Sequence, residues 1–343
     1  MSVRLALAAF AAAALLGVVL NAFVSRLSRK LGFLDVPGGR KAHSAPVPLG
    51  GGAAIFLSMA AVFWAFAALS PARPDLGAYA AFFAAAALVC LSGLYDDARS
   101  LRPAVKLAVQ AAAALVLYAA GFRITAFVYS PLVNVVLTVG WIVVITNAFN
   151  LLDSMDGLSA GVALAVAVMA FAALAGRIEP GPGLLLAVTA GAAAGFLPHN
   201  FPPARLYMGD AGSLLLGFSL AAATADATFY SREWEVDPLL AMASPLLLFA
   251  VPLYDTLSVC LIRIREGRSI LAADRSHLPH RLLALGLDKR ETLSVVVLMA
   301  VLTGAAASYI PALSRFQALL VLLQVAGMFA VMFILETAGE RKR

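Results

Sequence analysis

Apolar stretches long enough to cross a bilayer recur along the whole of this chain. A spanning helix needs about 20 mostly apolar residues. Eleven segments approach that length: 3–24, 50–69, 77–95, 104–121, 132–149, 157–175, 183–198, 211–228, 238–262, 291–309 and 315–335. Only 13% of the residues are charged, against about 25% in a soluble domain. The expected fold is an all-α polytopic membrane protein with about eleven transmembrane helices, a single domain over residues 1–343. The first apolar run is longer than a signal-peptide core and no small-residue cleavage site follows it, so it reads as a span. Alanine-rich faces such as FAAAALLG and AFFAAAAL suit close helix packing.

The basic residues set the orientation. With the N-terminus outside and the C-terminus in the cytoplasm, the outer side receives Arg4, Arg73, Arg123, Arg177, Arg232 and Arg315. The rest of the 25 lysines and arginines fall inside, as the positive-inside rule requires. The same rule accounts for the net charge of +6, so nucleic acid is not an expected partner. Cys90 and Cys260 lie singly in apolar stretches, without metal spacing, and read as small buried hydrophobes.

The polar motifs then gather on the inner side, in loops 25–50, 95–106, 147–157, 199–213 and 263–290. Asp96 and Asp97 close the third span. Adjacent carboxylates repel unless a cation stands beside them, and they oppose the dipole at a helix C-terminus. In NAFNLLDSMDG, Asn147, Asn150, Asp153 and Asp156 step by three. Each step drifts about 60° around a helix, so all four cannot share one face and the helix should stop or distort before Gly157. Their oxygens suit a hard cation, and Asn can also read a base. Asp210 lies between Gly209 and Gly212 at a helix start, where an anion or a Mg²⁺ ion could be held. His277 and His280 share a basic loop with Arg275 and Arg281, which suits a phosphate better than zinc. Asp255 lies within a span and reads as part of a structural ion pair or hydrogen bond, with Arg263 two turns on. A transporter would place its key charges near the midplane; only Asp226 and Asp255 are candidates there. The one-sided clustering favours transfer between two phosphates at a membrane surface.

The set of motifs resembles the polyprenyl-phosphate N-acetylhexosamine-1-phosphate transferases, of the MraY superfamily. The likeness runs through DVPGGRKAHSAPVPLGG, GLYDDARSL with KLAVQ, NAFNLLDSMDGL, YMGDAGSLLLG and VPLYDTLSV, in matching order. It implies a UDP-sugar donor, a polyprenyl phosphate acceptor, and Mg²⁺, with Mn²⁺ as the alternative. It also implies a homodimer in the bacterial inner membrane with its active site on the cytoplasmic face. By resemblance Asn150, Asp153 and Asp210 would hold the metal. Lys41, His43, Asp156, Asn200 and Tyr207 would bind substrate, Tyr207 by stacking on uracil. Asp96 and Asp97 would orient the lipid phosphate or take its proton, and Lys106 would meet that phosphate or the diphosphate. His277, His280, Arg275 and Arg281 would face the donor's diphosphate and sugar. Two positions depart from the family pattern: Ser154 replaces a frequent glycine, and Pro279 stands where a histidine is usual. The MraY triple histidine is absent, so a GlcNAc-type donor is expected over UDP-MurNAc-pentapeptide.

Overall fold

The computed structural model describes residues 1–36, 45–70, 74–124, 130–174, 178–227, 229, 237–269 and 276–340. In chain order its helices are α1 (Val3–Leu31), α2 (Gly51–Leu69), α3 (Leu76–Arg99), α4 (Pro103–Ala119), α5 (Pro131–Leu152), α6 (Leu158–Ala173) and α7 (Pro180–Asn200). Then follow α8 (Gly209–Asp226), α9 (Pro238–Leu248), α10 (Ala250–Arg265), α11 (Leu278–Ala284), α12 (Lys289–Tyr309) and α13 (Arg315–Glu340). Among the described residues, seven helices are long and apolar enough to cross a membrane, or eight if the bent pair α9–α10 counts as one. Large apolar side chains face outward, among them Leu15, Phe23, Leu323 and Ile334. Water would penalise that surface, whereas lipid does not. The protein is therefore a multi-pass membrane protein.

The core is stitched by small residues. α1 and α7 run in parallel: Met1 meets Ile178 at one end and Val18 meets His199 at the other. Between these ends Gly17 lies against Gly195. At Gly52 and Gly93 a Cβ would overlap the backbone of α8, so glycine lets α2 and α3 press onto it. α3 and α8 are antiparallel, with Asp97 beside Asp210 at one end and Tyr79 bonded to Asp226 at the other. Tyr79 to Asp97 spans 18 helical steps, about 27 Å, close to the hydrocarbon thickness of a bilayer.

Three departures from expectation have local causes. The first helix continues past 24 to Leu31, ending in Gly32 at φ 71° with Arg29 and Lys30 in its last turn. The stretch expected to span as 238–262 is broken at Phe249 by a 72° bend. Pro252 has no N–H for the carbonyl of Leu248, and its ring crowds that turn. A short antiparallel hairpin, β1 (Leu34–Asp35) and β2 (Val47–Pro48), adds strand to an otherwise helical chain. The loop it brackets carries Lys41 and His43, which lie outside the described residues, as does Arg275.

Candidate active site

The polar ladder resolves as its spacing requires. α5 runs through Asn147 and Asn150, ends at Leu152, and is capped by Asp153. Asn147 turns to α4, donating to Gln110 and to the carbonyl of Val143. Asn150 points the other way, its Nδ2 2.9 Å from Asp210 Oδ1 and 3.0 Å from Ser213 Oγ.

Asp210 is the hub. Lys106 Nζ bridges it to Asp96 Oδ2, the latter at 3.0 Å, so the adjacent carboxylates of α3 have their cation. The two aspartates divide the work. Asp96 also accepts from the Leu101 N–H. Asp97 accepts from the N–H groups of Asp210 (2.8 Å) and Ala211 (3.4 Å), capping α8 from a separate helix. Gly209, at φ 67°, lies against the Asp97 carboxylate, where a Cβ would collide. Asp153 is partly buried, and its carboxylate has no hydrogen-bond partner among the described residues. Burial, followed by the charges of Asp210, Asp97 and Asp156, pushes that carboxyl well above the ordinary carboxylate range. Ser154, the departure from the family's glycine, has a hydroxyl with no hydrogen-bond partner there.

A second group forms a bracket beside the hub. Asn200 accepts from Gly157 N–H (2.7 Å) and donates to the Leu206 carbonyl (2.8 Å), tying the loop after α5 to the segment before α8. Asp156 is 8% exposed. Its Oδ2 accepts from Ala204 N–H (3.3 Å) and Lys289 Nζ (3.1 Å). Tyr207 donates to Asp156 as well; burial and then this carboxylate push the phenol above its usual range. The Tyr207 backbone is held by Pro48 and Gly51. Lys289 was not among the expected site residues. A Lys-Arg pair opening a helix behind a DKRE capping box was the available signal.

In the histidine loop the described side chains meet partners from other helices. His277 Nδ1 lies 2.9 Å from Asp255 Oδ2, and Asp255 also accepts from Leu278 N–H. Asp255 thus has the hydrogen-bonding role foreseen, with His277 as its partner. Pro279 opens α11 in the first turn, where its missing N–H costs nothing. His280 lies half-buried on that helix. Arg281, expected to face the donor, is buried. Its guanidinium meets Glu336 at 3.2 Å, Ser258 Oγ at 2.7 Å and the Ser276 carbonyl at 2.9 Å. Buried arginine takes a buried carboxylate where one is offered, and the last helix offers Glu336.

Fold and site together define a multi-pass membrane protein with a charged centre at one end of its bundle. Residues 79–228, which hold the hub, match the family described as Glycosyl transferase family 4. The chain is 33% identical over 300 residues to the "Probable undecaprenyl-phosphate N-acetylglucosaminyl 1-phosphate transferase" of Bacillus subtilis, covering 85% of this chain and 81% of that one. It is 35% identical over 316 residues to the decaprenyl-phosphate N-acetylglucosaminephosphotransferase of Mycobacterium tuberculosis, covering 83% and 78%. Against the undecaprenyl-phosphate alpha-N-acetylglucosaminyl 1-phosphate transferase of Yersinia pestis it is 28% identical over 306 residues, covering 82% and 78%. The chain belongs to this glycosyl transferase family.

Proposed function

We propose that the protein transfers GlcNAc-1-phosphate from UDP-GlcNAc to a polyprenyl phosphate, releasing UMP. In this reading the chain crosses the bacterial inner membrane eleven times, N-terminus outside and C-terminus in the cytoplasm, with the hub at the cytoplasmic face. One observation carries it: Asp96 and Asp97 of α3, Lys106 of α4, Asn150 of α5 and Asp210 of α8 converge at a single end of the bundle. The polyprenyl phosphate acceptor and the N-acetylglucosamine 1-phosphate group are those in the names of the three relatives, and the UDP carrier is what the motif resemblance implies.

An oxygen of the lipid phosphate attacks the phosphorus that carries the sugar. A P–O bond forms there as the bond to the UMP oxygen breaks. A phosphate monoester has a second pKa near 6, so the attacking group is already largely dianionic at neutral pH and no protein base is required. Both Asp97 oxygens are engaged with the α8 N-terminus, which makes Asp97 a positioning residue for Asp210. Lys106 supplies a cation between the converging phosphates. The oxygen-only donor set of Asp153, Asp210 and Asn150 suits Mg²⁺, which commonly uses one or two carboxylates with substrate phosphates and water. Among the described residues no group of three acidic, histidine or cysteine side chains is gathered at metal spacing. The fit therefore rests on the partnerless Asp153 beside Asp210. When bound, Mg²⁺ neutralises charge that develops on the diphosphate.

The test is UMP release by purified protein given undecaprenyl phosphate, Mg²⁺ and a panel of UDP-sugars. Release with UDP-GlcNAc that requires the lipid is expected. Folded protein that releases UMP from no donor overturns the reading.

A further inference from the structure

The bracket around Asp156 has a third wall that comes from the far end of the chain. α12 opens with a reciprocal cap: Asp288 accepts from the N–H groups of Arg290 (2.7 Å) and Glu291 (2.8 Å), and Glu291 accepts from Asp288 N–H (2.8 Å). Such a box fixes the first helical turn. Leu293 packs against Gly157. Arg290 donates to the Pro202 carbonyl at 3.3 Å and lies 5.6 Å over the Phe201 ring. With that turn anchored on both sides, Lys289 reaches the buried Asp156 Oδ2 across 133 residues of sequence. The lysine side chain is 39% exposed and its partner 9%.

We propose that Lys289 is a specificity-determining positioning residue: it orients Asp156 so that the carboxylate selects a uracil base over a cytosine. The proposal rests on the reading of Asp156 as part of the donor nucleotide site. A carboxylate offers about four lone-pair positions and only accepts. Ala204, Lys289 and Tyr207 engage three. The remaining one suits the N3–H of uracil and repels the N3 lone pair of cytosine. Removing Lys289 leaves a buried charge without its cation and frees the carboxylate to turn.

The experiment measures UMP and CMP affinity for wild type, Lys289→Met, Lys289→Arg, Asp156→Asn and the Lys289→Met/Asp156→Asn double variant. All are held in detergent, with thermal midpoints taken in parallel. UMP should bind wild type more tightly than CMP. Lys289→Met should weaken UMP by roughly tenfold, the scale of one charge-assisted hydrogen bond, and leave CMP nearly unchanged. Lys289→Arg should keep the preference. In the Asp156→Asn background the lysine change should add nothing, since coupled residues are non-additive. A Lys289→Met protein with an unaltered or a uniformly lowered affinity for both nucleotides, alongside a lost preference in Asp156→Asn, overturns the lysine proposal alone. If Asp156→Asn also keeps the full preference, the nucleotide reading of Asp156 falls and the lysine proposal falls with it.

Discussion

α3 and α8 form one antiparallel pair with a carboxylate junction at each end, and the two junctions are built differently. At the hub, Asp97 binds backbone N–H groups and Asp96 and Asp210 share Lys106. At the far end, Tyr79 donates to Asp226 beside a cavity of about 270 Å³ lined also by Asp75 and Glu179. Among the described residues no lysine or arginine lines that cavity. Negative charge balanced by cations and amide dipoles can accept phosphates once a metal joins it; at the far junction the Asp226 carboxylate is served by the Tyr79 hydroxyl instead. The difference favours the hub end for the proposed phosphate chemistry.

The largest test of that division is Asp210→Asn. It removes the charge that meets both Lys106 and the proposed metal, and turnover should fall by roughly 10³-fold, the upper scale for losing one preorganised electrostatic group. Protein should still insert and purify. Near-normal UMP release would remove Asp210 from the chemistry and level the two ends. Tyr207→Ala sharpens the same side. Loss of a base-stacking ring should weaken UMP binding by about 1–3 kcal/mol, read by titration calorimetry. Unchanged affinity would mean that the half-buried ring only braces Asp156.

Much of this was legible beforehand, for physical reasons. Among the described residues the expected apolar runs are helical, one of them bent at Phe249, because hydrocarbon leaves the backbone no other partner. The three-residue step in NAFNLLDSMDG foretold the break after Leu152, since that step rotates around a helix. What stayed hidden depended on long-range partners. The sequence shows Arg281 in a basic loop, but not that Glu336 of the last helix stands 3.2 Å from it. Lys289 reads as a topology charge until Asp156 is found 3.1 Å away. The break at Phe249 lay within reach, because Pro252 marks it, but an uninterrupted apolar run outweighed a single proline.

Asp153 offers a test read in stability. Its carboxyl is raised in the folded protein, whereas the unfolded chain has the ordinary value of about 3.9. As pH rises through that interval, the unfolded state releases a proton that the folded state still holds, so stability falls. Below the unfolded value the effect is absent. Asp153→Asn should therefore raise the thermal midpoint of metal-free protein at neutral pH and make no difference near pH 4. Equal pH slopes for variant and wild type would mean that the carboxylates of the hub do not confront one another.

The smallest effect is expected at the opposite end. Tyr79→Phe keeps the ring, which stacks 4.8 Å from Phe63 and meets Phe122 edge-on at 5.4 Å. Only the hydroxyl that serves Asp226 is lost. A single hydrogen bond of this kind contributes about 1 kcal/mol, so a modest drop in thermal midpoint is expected. UMP release should stay within twofold of wild type, because that junction lies about 27 Å along α3 from the proposed phosphate site. A severalfold loss of turnover in protein that remains folded would show that α3 and α8 carry a change at one junction to the other, some 27 Å away along the helix. The far junction would then belong to the machinery that sets Asp97 against Asp210.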